Sequence, residues 1–598
     1  MGRPETRKRK PPARPSRVSR NASSDDNFDI SESGSVEPPA KRRRVSNREK
    51  GKHTNPWKDI LSTEPHAKRL AIAPTARSHD IAYHRPLLLD SRDGREALLA
   101  WFDGVSSSRL MPWRKPWIDP RTWDDADVLR AALERRAYEV WISEVMLQQT
   151  RVAVVIDYWK RWMAKWPTIQ DLARASAEDV LSAWRGLGYY SRATRIHQAA
   201  QLVVEDPRFQ GLLPADVHDL KTQVPGIGPY TAGAISAIVF GHPEAMVDGN
   251  VVRVMSRQMG VFADFKASKS ATDMTWDAAD ALAKAVSSDL FNEGLDATDL
   301  TTSDRPGRWG QALMELGSTV CTPKPDCSIC PITSTCRVFA EGMMMTGSAS
   351  NARERSRQPL STVSTSDIED VCTLCQPMEE TVVANDSATG QPLKRTLARA
   401  RRATSAVNSP SASSSTDSWE IASSAPGKID QHTLNTIVDY ARRFPVKGLK
   451  KAARIEESLV CAIRCGDFYL IQKRPSKGLL AGLWELPSYS IPKASKSTAL
   501  SRKRMAQSYV SDLLRHLPCA SSKDRLQLSH VGELGSVPWL FSHIKLTMHV
   551  HMFDLEQHCD ASPLPKLEGR WATNKEIEKE SMGTGMRKCW AMVKISNL

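Results

Sequence analysis

Two acidic residues stand in surroundings that could make them chemically active. Glu144 lies in the run YEVWISEVMLQQTRVAVVIDYW, among Trp141, Ile142, Val145, Met146 and Leu147. Apolar neighbours desolvate a carboxyl, raise its pKa and keep a proton available near neutrality. Gln148 and Gln149 follow one turn on, where amides can meet base edges. The second acid, Asp248, sits in the loop Asp248-Gly249-Asn250 near the end of VPGIGPYTAGAISAIVFGHPEAMVDGNVVR. That stretch opens with the turn Val224-Pro225-Gly226-Ile227-Gly228, whose two glycines allow positive φ and close backbone approach. Helix-forming residues from Thr231 to Val239 put the turn's free N–H groups at a helix N-terminus, a seat for phosphate. A phosphate-gripping turn shortly before a lone acid suggests chemistry on a nucleic-acid backbone or sugar. Taken singly, each feature has a plainer reading: a structural Glu, and a helix connection with a solvated Asp.

A third constellation is Cys321-x5-Cys327-x2-Cys330-x5-Cys336. Four thiolates within sixteen positions signal a metal site. Zinc and an iron–sulfur cluster use the same ligand set, and spacing alone does not separate them. Cys372-Thr-Leu-Cys375 offers half of a zinc site, but two ligands do not make a site, and two unrelated cysteines are the plainer reading. All eleven cysteines lie after residue 320, clustered irregularly, which points to metal in a reducing compartment rather than to a disulfide framework. The turn Gly186-Leu187-Gly188-Tyr189-Tyr190-Ser191 carries paired aromatics, which can wedge between bases or simply fill a core.

These residues need elements to hold them. Apolar residues recur at three- and four-residue spacing through Ala97–Phe102, Ala137–Trp162, Ala177–Trp184 and Ala193–Val204, which predicts an all-α domain over 86–340. Residues 116–134 read as a charged insertion between Met111-Pro112-Trp113-Arg114 and the helix at Tyr138. After 455 the pattern changes to strands: Ser458–Arg464 with Asp467–Lys473 as a hairpin across Cys465-Gly466, then Leu528–Leu534 and Lys545–Phe553, with a helix at Ser501–Leu514. Residues 456–598 therefore form a separate α/β domain. The 1–85 tail reads as disordered and the 341–455 linker as mostly disordered, both being polar and Ser-, Arg- and Pro-rich, with 408–416 nearly low-complexity. The net charge is +15, and residues 1–52 hold 15 basic against 7 acidic side chains, so a basic excess remains in the body of the chain and fits a polyanionic partner. Arg7-Lys8-Arg9-Lys10 and Lys41-Arg42-Arg43-Arg44 read as nuclear import signals or, taken singly, equally well as a solvated charged tail. No apolar run reaches the ~20 residues of a membrane span.

In their order and spacing these pieces resemble the adenine DNA glycosylases of the MutY family, in the helix–hairpin–helix superfamily. The matching text is WISEVMLQQTRV, GLGYYSRA, VPGIGPYTAGAI, VDGNVVRV, the cysteine cluster, and GLLAGLWELPS followed by FSH. It covers about 95–340 and 455–590 and is closest to the eukaryotic form. The resemblance implies a multidomain protein: a helical glycosylase domain with a 4Fe–4S loop at Cys321, Cys327, Cys330 and Cys336, and a Nudix-like reading domain. The first cysteine interval is one residue shorter than the family's usual one. The implied substrate is duplex DNA with adenine opposite 8-oxoguanine or guanine, the adenine flipped out of the stack.

The same resemblance makes Glu144 the general acid, Asp248 the stabiliser or nucleophile at the sugar, and Tyr230 and Asn250 their orienting partners. It makes Gln149 and Tyr189 the wedge, and the amides from Val224 through Gly226 to Gly228 the phosphate grip. Met111, Trp113, Arg114 and Gln311 fall at adenine-pocket positions, and Phe541, Ser542 and His543 at the lesion-reading loop. Three alternatives stand beside this reading. An endonuclease III-like pyrimidine glycosylase with lyase activity carries Lys where this chain has Tyr230. A catalytically inactive damage-binding protein has no need of both Glu144 and Asp248. A Nudix hydrolase needs clustered glutamates after Glu485, which LPSYSIPKASKS does not supply. The expected protein is monomeric and nuclear, with a mitochondrial form also conceivable, and meets repair or checkpoint proteins through its linker.

Overall fold

The computed structural model describes residues 56–62, 71–72, 77, 79–289, 302–351, 372–378, 429–448, 452–475, 478, 480–492, 497–514, 527–541, 543–556 and 569–596. The two basic runs, residues 408–416 and Ser542 lie outside them.

The N-terminal part is helical, as the periodicity predicts. Its helices are α1 (Pro56–Ser62), α2 (Arg92–Arg109), α3 (Ala126–Leu147), α4 (Val152–Lys165), α5 (Ile169–Arg174), α6 (Ala177–Ala183) and α7 (Ser191–Glu205). After them come α8 (Val217–Gln223), α9 (Pro229–Val239), α10 (Gly249–Met259), α11 (Lys269–Ser288), α12 (Arg305–Thr319) and α13 (Arg337–Asn351). The apolar run Ala137–Trp162 is not one helix. It breaks after Leu147, where Gln149 takes a left-handed φ of 54°, the conformation that commonly ends a helix. The second half of the 116–134 insertion is helical too, because Asp125 caps α3 by accepting from the N–H groups of Asp127 and Val128.

Two cores divide these helices. One gathers Tyr138, Trp141, Trp162 and Trp184 with apolar residues of α3 to α9. The other gathers Leu98, Val251, Met255, Leu282 and Trp309 from α2 and α10 to α12, together with Trp57 of α1. Glu144 is thus on the first lobe and Asp248 at the entrance to the second. The stretches 1–85 and 341–455 also contain ordered structure. Trp57 is buried, residues 372–378 pack on the second lobe, and α14 (Gln431–Ala441) packs against α13 through Tyr440, with Phe444 just beyond the helix in the same cluster. The Phe444 side chain is buried because it closes an aromatic cluster, a contact that low local hydrophobicity does not announce.

The C-terminal part is an α/β unit. Its strands are β1 (Arg454–Cys465), β2 (Phe468–Lys473), β3 (Trp484–Glu485), β4 (Ser488–Ser490), β5 (Gln527–Leu540), β6 (Ile544–Glu556) and β7 (Arg570–Thr573), in the order β3-β2-β1-β6-β5, with β4 paired to β1 and β7 to β2. The predicted β1–β2 hairpin forms, with Arg464 opposite Tyr469 and Gly466 at φ +56°. β1 runs parallel to β6, and Leu459 to Ile463 are buried on both faces of the sheet, as parallel neighbours require. α15 (Ala499–Leu514) covers one face and α17 (Thr584–Ile595) the other. The two parts touch. Leu480 and Leu483 pack into the first helical core, Lys473 pairs with Glu178 at 2.7 Å, and Arg185 donates to the Glu578 and Lys579 carbonyls at the end of α16 (Asn574–Lys579).

Candidate active site

A cavity of about 1140 Å³ opens between the two lobes. It is lined by Glu144, Asp248, Tyr230 and Asn250, by the hairpin from Val224 to Gly228, by Gln149 and Tyr189, and by Met111, Trp113, Arg114 and Gln311. Residues far apart in the chain thus converge on one space. Phe541 and His543 are not among the lining residues. They form the tight turn between β5 and β6, where the Phe541 N–H donates to the Ile544 carbonyl at 2.8 Å.

The buried carboxyl of Glu144 accepts from the Tyr230 hydroxyl at 2.6 Å. Burial pushes Glu144 up to about 7. The Tyr230 hydrogen bond opposes this, the Asp248 charge adds to it, and Arg114 and Arg136 weigh against it. Tyr230 is itself driven well above its ordinary value by burial and by the Glu144 and Asp248 charges, so it stays a donor. Asp248 caps α10. One of its oxygens accepts from the N–H groups of Asn250 (2.9 Å) and Val251 (2.7 Å), the other from the Asn250 side-chain amide (2.8 Å). Burial raises its pKa, while these donors pull the other way and favour the ionised form. Arg253 then fixes Asn250. It donates to the Asn250 Oδ1 (2.8 Å), the Gly317 carbonyl (2.6 Å) and the Cys321 carbonyl (2.8 Å), tying the acid-bearing helix to α12 and the cysteine loop.

In the hairpin, Gly226 takes φ +81° and an added Cβ would lie 2.8 Å from Arg195. Gly228 does not use positive φ. It is an extended N-cap at φ −91°, with Pro229 as the first helical residue and no side-chain cap, so the leading amides of α9 stay open towards the cavity. Both wedge candidates are partly or fully exposed on turns at positive φ, Gln149 at 54° and Tyr189 at 47°.

Three cavity residues have no local signature. Glu315 is buried and accepts from Arg114 at 2.6 Å and from Arg109, and Met314 Sδ lies 2.8 Å from the Tyr230 hydroxyl. Glu315 stands one turn after Gln311 on α12, but an i, i+4 pair of polar residues is ordinary on a helix face and singles out nothing.

The four cysteines Cys321, Cys327, Cys330 and Cys336 surround one small pocket, with Arg257 Nη1 donating to Cys321 Sγ at 3.2 Å. Burial pushes the Cys327 and Cys330 thiols up to about 12 and Cys336 well above its ordinary value, so this gathering of sulfurs suits a cationic group that holds them as thiolates. A second group was only half visible in the sequence. His79 and His84 join Cys372 and Cys375, their donor atoms all within 4.8 Å of one another. The Nδ1 of each histidine faces a backbone carbonyl, Arg77 for His79 (2.5 Å) and Met259 for His84 (2.9 Å). Both Nε2 lone pairs are then turned inward, 3.0 Å apart, with each sulfur 3.3 Å from His84 Nε2. Facing lone pairs repel unless a cation lies between them, so this donor set can hold a metal ion.

Residues 142–275 match the family of HhH-GPD superfamily base excision DNA repair proteins, and 459–592 match the NUDIX domain. Fold and site thus define a base-excision-repair DNA glycosylase of the helix–hairpin–helix class with a Nudix-like domain behind it. The chain is 36% identical over 499 residues to the adenine DNA glycosylase of Homo sapiens, covering 83% of this chain and 72% of that one. It is 35% identical over 502 residues to the Rattus norvegicus enzyme (83% and 76%) and 30% over 483 to that of Schizosaccharomyces pombe (79% and 84%). The chain belongs to the adenine DNA glycosylase family.

Proposed function

We propose that this chain removes adenine paired with 8-oxoguanine, or with guanine, from duplex DNA, and does so as a monofunctional hydrolase. The observation that carries the reading is a carboxyl raised to about 7 that shares one cavity with a second acid and a helix N-terminus. Adenine leaves C1′ readily only when a ring nitrogen is protonated. Glu144 donates that proton as the C1′–N9 bond breaks. The sugar then carries oxocarbenium character, which the Asp248 carboxylate offsets at close range. Glu144, now ionised, takes a proton from the water whose oxygen bonds to C1′. Tyr230 holds the Glu144 carboxyl in place and, having no amine, offers no route to a Schiff base.

The α9 amides grip backbone phosphate, Gln149 and Tyr189 enter the duplex, and the adenine extrudes into the space near Met111, Trp113, Arg114 and Gln311. The turn containing Phe541, Ser542 and His543 reads the 8-oxoguanine. Cys321, Cys327, Cys330 and Cys336 would hold a 4Fe–4S cluster, and Arg253 and Arg257 brace that loop by donating to the Cys321 carbonyl and sulfur. His79, His84, Cys372 and Cys375 would hold zinc, in place of the half-site foreseen at Cys372 and Cys375. The basic runs address the chain to the nucleus.

A strand-cleavage assay of the purified chain tests this reading. Duplexes would carry adenine opposite 8-oxoguanine, guanine, thymine or cytosine, or an oxidised pyrimidine. Breaks should appear at adenine opposite 8-oxoguanine and guanine, and only after alkali. Breaks without alkali, or at the pyrimidine, would overturn it.

A further inference from the structure

Gln149 and Tyr189 share an uncommon backbone. Both are non-glycine residues at positive φ, and such conformations persist only where the surroundings over-determine them. One side chain reaches both turns. Buried Arg192, near the start of α7, donates from Nη1 to the carbonyls of Val145 (2.7 Å) and Gln148 (2.7 Å). From Nη2 it donates to those of Gly188 (3.1 Å) and Leu187 (3.3 Å). The Gln148 and Gly188 carbonyls belong to the peptide units that lead directly into Gln149 and Tyr189. The guanidinium also lies 5.5 Å from the Tyr189 ring centre and 5.2 Å from that of Trp184. Val145 is in the last turn of α3, where carbonyls run out of helical partners and a cation is favoured.

We propose that Arg192 is a positioning residue for base extrusion: one guanidinium locks the turn after α3 and the turn before α7 in a single register, so that Gln149 and Tyr189 enter the duplex as a matched pair. The proposal rests on reading those two residues as the wedge. A planar fork of donors suits the task, because it bridges carbonyls of two separate turns at fixed angles. An ammonium is a point donor and cannot hold both peptide planes at once.

The test uses the full chain with Arg192→Lys, alongside Gln149→Ala and Tyr189→Ala. With 2-aminopurine at the target position opposite 8-oxoguanine, and Glu144→Gln added to stop excision, fluorescence reports unstacking. Arg192→Lys should cut the unstacking signal, and single-turnover adenine release from duplex, by roughly tenfold. Release from a single-stranded oligonucleotide, where the base needs no extrusion, should change less than about twofold. Adding Tyr189→Ala to Arg192→Lys should cost little more, since both act on one step. If Arg192→Lys unstacks the base as the unchanged protein does, the proposal fails. Equal losses on duplex and single strand would mark Arg192 as merely structural and sink it too. If Gln149→Ala and Tyr189→Ala both leave the signal intact, the wedge reading itself falls. Should the lysine variant be insoluble, Arg192→Gln, which keeps two donors, takes its place in the same assays.

Discussion

Glu144 is buried against a tyrosine hydroxyl, where buried Glu315 has the guanidinium groups of Arg109 and Arg114, and that burial has a cost. Unfolded, the group titrates near its ordinary 4.5, and folded near 7. Between those values the native state holds a proton that the unfolded state has released. Stability from this group therefore falls as pH rises from about 4.5 to about 7 and stays flat above. At about 1.4 kcal/mol for each tenfold, the loss is roughly 3 kcal/mol. Glu144→Gln never ionises, so it should be inactive yet unfold at a higher temperature than the unchanged protein at about pH 8, with the gap narrowing towards about pH 5. Thermal unfolding at the two pH values checks this, and equal midpoints at the higher pH would contradict it. The position of Glu144 was legible because its apolar neighbours are adjacent in sequence. Glu315 was not, since Arg109 and Arg114, which neutralise it, lie some 200 residues away.

At the scale of elements, the sequence carried helix-forming periodicity well and breaks in it poorly. Apolar residues resume at Val152 after Leu147, so the stretch reads as one helix across the polar Gln148–Arg151, yet the chain leaves the helix there and places Gln149 on the cavity lining. Arg192, the residue that stabilises that break, sits on another helix, so no local window contains both. The His79 and His84 pair was hidden for the same reason. It lies in a polar stretch that reads as disordered, and its meaning depends on Cys372, 288 residues from His84. If this group holds zinc, His84→Ala should lose about one zinc per chain while leaving the iron content intact. Residues near 79 and 372 should then become sensitive to limited proteolysis. Elemental analysis of this variant beside the unchanged protein decides it, and unchanged zinc would remove the site from the account. Purified protein should also be brown, with about four irons per chain; a colourless, active protein would argue against the cluster.

At the scale of the whole molecule, the cavity draws on the helical part, while Phe541 and His543 lie between two strands of the other. That division was readable from the change of period after residue 455. The docking of Leu480 and Leu483 into the helical core was not, because an apolar pair beside glycines reads equally well as the start of a strand. Replacing Phe541 and Ser542 together by Ala should shrink the preference for adenine opposite 8-oxoguanine over adenine opposite guanine by ~1–3 kcal/mol, the worth of one base-edge contact. The rate on bound substrate should change much less, as competition binding with single-turnover kinetics would show. The central claim, that a buried carboxylic acid protonates the departing adenine, is tested most directly by single-turnover release from an 8-oxoguanine:adenine duplex across pH, for the unchanged chain and for Glu144→Gln. The rate should decline as pH rises through about 7, and the variant should bind the duplex yet release adenine at less than a tenth of the rate, ~1.4 kcal/mol or more of barrier. A variant that keeps more than that tenth, with the same pH profile, would contradict the account.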